Sequence, residues 1–232
     1  MKKHIQFLKS TELFNGIEEN NIELILKCCD SYTEHYEKQQ VIISPESRIE
    51  KIGLVLQGHI IVCKDDFWGN RSLIAKIERG RLFAETFAVL NKPNTGLTVV
   101  ADGPADVMWL NAQRALYKCK NSCSTHDKLI LNLLKIFASK NLQINERMTH
   151  TDMRSTRQKL LSYLSSKAKI NCSAEFDIPL DRQQLADYLA VDRSAMSSEL
   201  SKLKNEGLIE YNKNHFRLAK AYLRTPQNRS GS

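Results

Sequence analysis

From Tyr32 to Leu110 the apolar residues come in short runs broken by turn-forming clusters. The runs are VII (41–43), IGLVLQGHIIVCK (52–64), RSLIAKI (71–77), LTVVA (97–101) and ADVMWL (105–110), and SPES, DDFWGN, ERG, NKPNTG and DGP lie between them. Even spacing of such segments predicts an antiparallel β sandwich or jelly roll. The stretch before it, IEENNIELILKCC, has helical spacing. After Ser124 the period changes to that of one long helix, THDKLILNLLKIFASKNLQINERMTH. Ile130, Leu133, Phe137 and Ile144 fall close to a heptad seam that Lys140 interrupts, and such a seam fits a second copy of the chain. Leu129, Leu131, Leu134 and Ile136 on the other side are expected to pack on the β region.

TDMRSTR (151–157) reads as a hinge, with Asp152 placed to cap a new helix RSTRQKLLSYLSSKA. Further on, Asp181 followed three residues later by Gln184 makes a capping box for RQQLADYLA, whose core face is Leu185 and Leu189. Small residues Ala186 and Ala190 would let this helix cross the next one closely. Asp192 caps that next helix, which stops at Gly207. LIEYNKNHFRL then reads as two strands around Asn212-Lys213-Asn214. Helix, tight turn, helix and hairpin describe a winged helix-turn-helix, whose second helix lies in the DNA major groove.

That second helix has an unusual outer side. Met196, Leu200 and Leu203 mark the inner face, and Ser194, Ser197, Ser198 and Ser201 line the opposite one at i, i+3, i+4, i+7. Serine is a poorer helix former than Glu or Lys, so a face that needed only solubility would more usually carry those residues. Short hydroxyl side chains let a large anionic partner approach. Arg193 can pair with guanine O6 and N7 or hold a phosphate, and Ser194, Ser197 and Ser198 can donate to phosphates or bases beside the Asp192 cap. Arg182 and Gln183 start the preceding helix where backbone contacts are expected, and Lys202 and Lys213 add sequence-independent attraction.

Charge agrees with this placement. Of the net +8 carried by 232 residues, +5 falls in residues 151–232, which hold 14 Lys/Arg against 9 Asp/Glu. No run approaches the roughly 18 apolar residues of a membrane helix, and the start lacks a leader pattern, so a cytoplasmic protein with no membrane partner is expected. Six cysteines with no CxxC pair suggest reduced thiols. Cys119, Cys123 and His126 are spaced i, i+4, i+7 and form a remote alternative, a redox or metal sensor; no metal site is otherwise indicated.

Over residues 10 to 220 the sequence resembles the Crp/Fnr family of bacterial transcription regulators. The resemblance rests on LVLQGHIIV, FAETFAVLNKPNTGLTVVA, the long helix, and LADYLAVDRSAMSSELSKLKNEGLI. It implies a cupin-like jelly roll that senses an effector, a dimerising helix, and a winged helix bound to a palindromic operator on double-stranded DNA, with RNA polymerase as a further partner. It also implies that the effector pocket sits at Ala84, Glu85, Thr95 and Gly96. Members that bind cyclic AMP have Gly-Glu and Arg-Ser at those two places; Ala84-Glu85 and Thr95-Gly96 here lack the anchoring cation, which argues against tight cyclic AMP binding. In the recognition helix only the first of the activator's two arginines is matched, by Arg193, with Ser198 at the second. No cysteine precedes Cys28, so the iron-sulfur cluster of the anaerobic regulators is not expected.

These readings give an α+β fold: an N-terminal antiparallel β jelly roll like a cyclic nucleotide-binding domain (1–123), a long dimerisation helix (124–150), a winged helix-turn-helix (151–223) and a disordered tail (224–232). No cofactor is identified and the small-molecule effector is unknown. The expected function is a homodimeric, non-enzymatic regulator. A constitutive DNA binder without a ligand is the alternative. A cupin-type enzyme does not fit, because residues 32–110 contain only His35 and His59.

Overall fold

The computed structural model describes residues 4–65, 71–94, 96–117 and 124–219. Thr95, Cys119, Cys123 and the tail 224–232 lie outside them. The chain divides into two compact units, 1–138 and 139–232.

The first unit begins with α1 (Ile5–Lys9) and α2 (Glu19–Cys28). The roll follows as β1 (Tyr32–Tyr36), β2 (Val41–Ile43), β3 (Lys51–Gln57), β4 (His59–Asp65), β5 (Arg71–Glu78), β6 (Leu82–Phe83), α3 (Glu85–Leu90), β7 (Leu97–Ala101), β8 (Ala105–Asn111) and α4 (Ala112–Leu116). Two four-stranded antiparallel sheets, ordered β1-β8-β3-β6 and β2-β7-β4-β5, face each other. The apolar run 52–64 is therefore two strands in different sheets rather than one. Gly58 makes the break: its φ is +75°, and a Cβ there would stand 2.4 Å from the Pro104 carbonyl oxygen. Phe83 lies flat over Gly53 in the neighbouring strand and meets Trp109 edge to face at 5.3 Å.

Helix α5 (Ser124–Thr151) spans the region read as one long helix. Its first turns belong to the core of the first unit through Leu129, Leu133 and Ile136. Asn132 fixes the register by donating from Nδ2 to the carbonyls of Leu13 (3.0 Å) and Asn15 (2.9 Å). Leu133, expected on the outer seam, is thus corrected to a core residue, 2% exposed, while Leu131 and Leu134, expected inside, are half exposed or more. A 3-4 pattern assigned from sequence alone lets either of two adjacent leucines take the inner position, and packing turns Leu133 inward and leaves Leu134 exposed.

The second unit contains the end of α5, then α6 (Thr156–Ile170), β9 (Glu175–Asp177), α7 (Arg182–Leu189), α8 (Arg193–Asn205), β10 (Ile209–Asn212) and β11 (His215–Leu218). Its core gathers Leu160, Tyr163, Leu164, Leu185, Met196 and Phe216. A three-stranded antiparallel sheet, β10-β11-β9, forms the wing. The cap of α6 is Ser155, whose hydroxyl accepts from Gln158 N at 3.2 Å, and not Asp152. The turn 152–155, expected as a hinge, is braced within this unit. Arg147 of α5 donates to the carbonyls of Asp187 and Tyr188 at 2.9 Å each, and His150 bonds Ser162 at 2.8 Å. Lys159 of α6 reaches the neighbouring carbonyls of Leu189 and Ala190 at 3.2 Å, so two cations complement the C-terminal end of α7.

Candidate nucleic-acid interface

Two caps set the helix pair. Asp181 accepts from Gln184 N at 2.8 Å and donates its own backbone N–H to Gln184 Oε1 at 2.9 Å, completing the capping box. Asp192 accepts from Ala195 N at 2.8 Å and from the Ser194 hydroxyl at 2.5 Å, and these hydrogen bonds, the serine's first, hold its carboxyl below the usual range. Between the helices Ala190 takes the left-handed conformation at φ 50° and is exposed. Ala186 alone is buried at the crossing. Gly207 ends α8 at φ +72°, in the left-handed position that favours glycine.

With α8 thus oriented, Met196, Leu200 and Leu203 are buried and Arg193, Ser194, Ser197, Ser198, Ser201 and Lys202 are exposed. The hydroxyls of Ser197 and Ser201 donate back to the carbonyls of Arg193 (2.8 Å) and Ser197 (3.1 Å). Such bonding keeps the side chains short against the helix and turns oxygen lone pairs outward. Lys202 is within 3.6 Å of Glu199.

A cleft of about 660 Å³ runs between the starts of α7 and α8 and the wing, and Arg182, Gln183, Arg193 and Lys213 line it together. Gln183 is exposed and bonds Asp187 at 2.9 Å. Lys213 is exposed at the wing tip, at φ 50°. Arg182 differs from the other three: its guanidinium is half-buried, donates from Nη2 to the Lys213 carbonyl at 2.7 Å, and lies over the rings of Tyr211 and Phe216. Desolvation pushes its pKa down.

Two features had no signal in the sequence. Arg157 of α6 makes a two-point ion pair with Glu206 and reaches Glu199 at 3.3 Å, gripping α8 from behind; the Glu206 pair is the first cause of its raised pKa. His215 on the wing bonds Glu175 at 2.9 Å through Nε2 and Asp177 at 3.0 Å through Nδ1, and both carboxylates, Glu175 first, raise its pKa.

In the first unit Ala84 is the left-handed N-cap of α3 (φ 62°), Glu85 is buried, and Gly96 has φ +81°. The neighbouring turn is organised by Asn94, which donates to the Ser44 and Leu97 carbonyls and accepts from Leu97 N at 3.1 Å. Its near-complete burial is invisible in a segment that reads only as a turn. A separate cleft of about 560 Å³ opens at the edge strands β1 and β2, where Trp109 donates to Tyr36 and Tyr36 to Glu34. His126 is buried, and among the described residues no cluster of His, Cys, Asp and Glu is arranged to hold a metal. No described helix is long and apolar enough to cross a membrane.

Residues 33–122 match the family described as the cyclic nucleotide-binding domain, and residues 158–221 the Crp-like helix-turn-helix domain. Among solved structures, the catabolite activator protein of Thermus thermophilus aligns at a TM-score of 0.53 with 18% identity, covering 92% of this chain and 96% of that one. CprK complexed with OCPA aligns at 0.64 with 14% identity over 85% and 90% of the two chains. A CooA variant from Carboxydothermus hydrogenoformans aligns at 0.55 with 17% identity over 84% and 85%. No curated protein matches by sequence.

Proposed function

The chain belongs to the Crp/Fnr family of DNA-binding transcription regulators, and from that premise we propose that it works as a homodimer placing two copies of α8 on a palindromic operator. The family is not one of enzymes. The observation that carries the reading is the exposed Arg193 and serine face of α8 set beside the wing, with Met196, Leu200 and Leu203 closing the opposite side. Arg193 reads a guanine or clasps a phosphate, Ser198 donates to a base edge or a phosphate, and Ser194 and Ser197, whose protons go to Asp192 and to the Arg193 carbonyl, accept from base amino groups. Gln183, Lys202 and Lys213 contact phosphates. Two recognition helices in a two-fold dimer stand one helical turn of DNA apart, roughly 34 Å.

The dimer forms along the outer side of α5. Ile130, Leu134, Phe137, Asn141, Ile144 and Met148 follow a continuous 4-3 spacing, and Leu134, Ile144 and Met148 are exposed in the single chain. A single polar Asn141 in such a seam specifies register and two strands.

The β roll senses a small molecule that is not cyclic AMP. Thr95 stands where the resemblance would put the arginine that anchors a cyclic phosphate, so that cation is missing. CprK, a structural neighbour, is complexed with OCPA, which supports a small-molecule ligand for this chain as well. Recruitment of RNA polymerase completes the proposal. The test is genome-wide mapping of bound DNA: palindromic sites with half-sites one turn apart support the reading, and an even distribution along the genome refutes it.

A further inference from the structure

The wing tip adopts a conformation its sequence does not favour. Asn212 pairs with His215, so Lys213 and Asn214 alone turn the hairpin, and Lys213 sits at φ 50°. Two-residue hairpin turns with a positive φ ordinarily use Gly, Asn or Asp there; an L residue with a long side chain is strained in this region. Something outside the hairpin has to hold it. Asn214 is tied by its carbonyl, which accepts from Ile178 N at 2.9 Å. The Lys213 carbonyl is tied by Arg182 at 2.7 Å.

Arg182 is costly to place. Its guanidinium carbon lies 4.9 Å from the Tyr211 ring centre and 5.1 Å from that of Phe216, and its Nη1 is buried with no acceptor among the described residues. A buried donor without a partner works against stability, whereas an unbranched apolar chain of similar length would cover the same two rings without that cost. Folding alone does not explain an arginine here.

We propose that Arg182 is a positioning residue for DNA binding: it locks the wing turn at Lys213 so that the Lys213 ammonium meets the phosphate backbone, and it acts through the wing rather than by touching DNA itself. This rests on the DNA-binding reading above, and it differs from the expectation that Arg182 contacts the backbone directly.

The experiment uses the full chain, an Arg182→Met variant, a Lys213→Ala variant and their combination. Amide exchange is read first, in the free protein. Exchange at Glu210–Arg217 rises by about tenfold in Arg182→Met, that of α8 is unchanged, and the melting temperature holds or rises. Binding to a random-sequence DNA duplex of about four turns is read at low salt. Arg182→Met weakens binding about tenfold in the natural chain and less than about twofold in the Lys213→Ala background. Additive losses in the double variant overturn the proposal, since they mean independent phosphate contacts. So does unchanged wing exchange, or a fall in melting temperature as large as that of a core truncation. Failure of the natural chain to bind any duplex refutes the DNA reading, and the exchange measurement still decides whether Arg182 locks the wing.

Discussion

Arg157 and Glu206, 49 residues apart, meet in a two-point ion pair that fastens the C-terminal end of the recognition helix to α6. Glu199, half a helix away, lies 3.3 Å from the same guanidinium and is only 15% exposed. One arginine therefore fixes α8 at two places, and the angle at which the serine face projects depends on it.

Replacement of Arg157 by Ala should lower the melting temperature and weaken DNA binding together, because Glu199, only 15% exposed, then keeps just the exposed Lys202 at 3.6 Å and Glu206 loses its partner. Glu206→Gln should do less, since Arg157 keeps Glu199. The Glu206 carboxyl is held below its usual value of 4.5, first by the Arg157 hydrogen bonds, so its contribution is present above pH 4.5 and disappears as pH falls through the lowered value. Thermal melts of both variants against pH check the order.

His215 titrates in the opposite sense. Glu175 and Asp177 raise its pKa above 6.5, so the stabilisation from the charged imidazole is complete below pH 6.5 and is lost as pH rises through the raised value. His215→Gln should be less stable than the natural chain at low pH, with the gap closing on the alkaline side. Thermal melts across neutrality measure it.

Gly53→Ala forces the new methyl to within 2.3 Å of the Phe83 ring, which Trp109 meets edge to face at 5.3 Å. The predicted loss is about 1–3 kcal/mol in denaturant unfolding, confined to the first unit.

Ile144 is 60% exposed on the α5 seam. Ile144→Lys should leave the melting of a single chain intact yet weaken self-association by at least about tenfold in sedimentation. Asn141→Leu should tighten association and relax its strand number.

The parts legible in the sequence are those encoded locally. Asp181 and Gln184 stand three residues apart and make their box wherever the chain goes; Asp192 and Gly207 bound α8 for the same reason. The long helix was read to within a residue at either end because its period persists over seven turns or more. What escaped was decided at a distance. Ser155 and Asp152 are both competent caps, and the burial of Leu160 and Tyr163 sets the phase of α6 that selects Ser155. Leu133 and Leu134 are chemically the same, and docking of Asn132 on the Leu13 and Asn15 carbonyls turns one inward and the other out. Arg147, Arg157 and Arg182 find partners 31 to 49 residues on, so no local pattern marks them. The exposure of the serine face, in contrast, was legible because the local helical period of Met196, Leu200 and Leu203 sets which side of α8 turns inward.

The most direct measurement concerns that face. Titration of a labelled DNA duplex should show binding whose affinity falls steeply with added salt, by at least about tenfold between 50 and 200 mM. A Ser197→Glu, Ser198→Glu variant, altered only at exposed positions, should melt as the natural chain does and bind roughly a hundredfold more weakly, since like charges would face the phosphates. Equal affinities for the two proteins, with the melts unchanged, would contradict the placement of α8 on DNA.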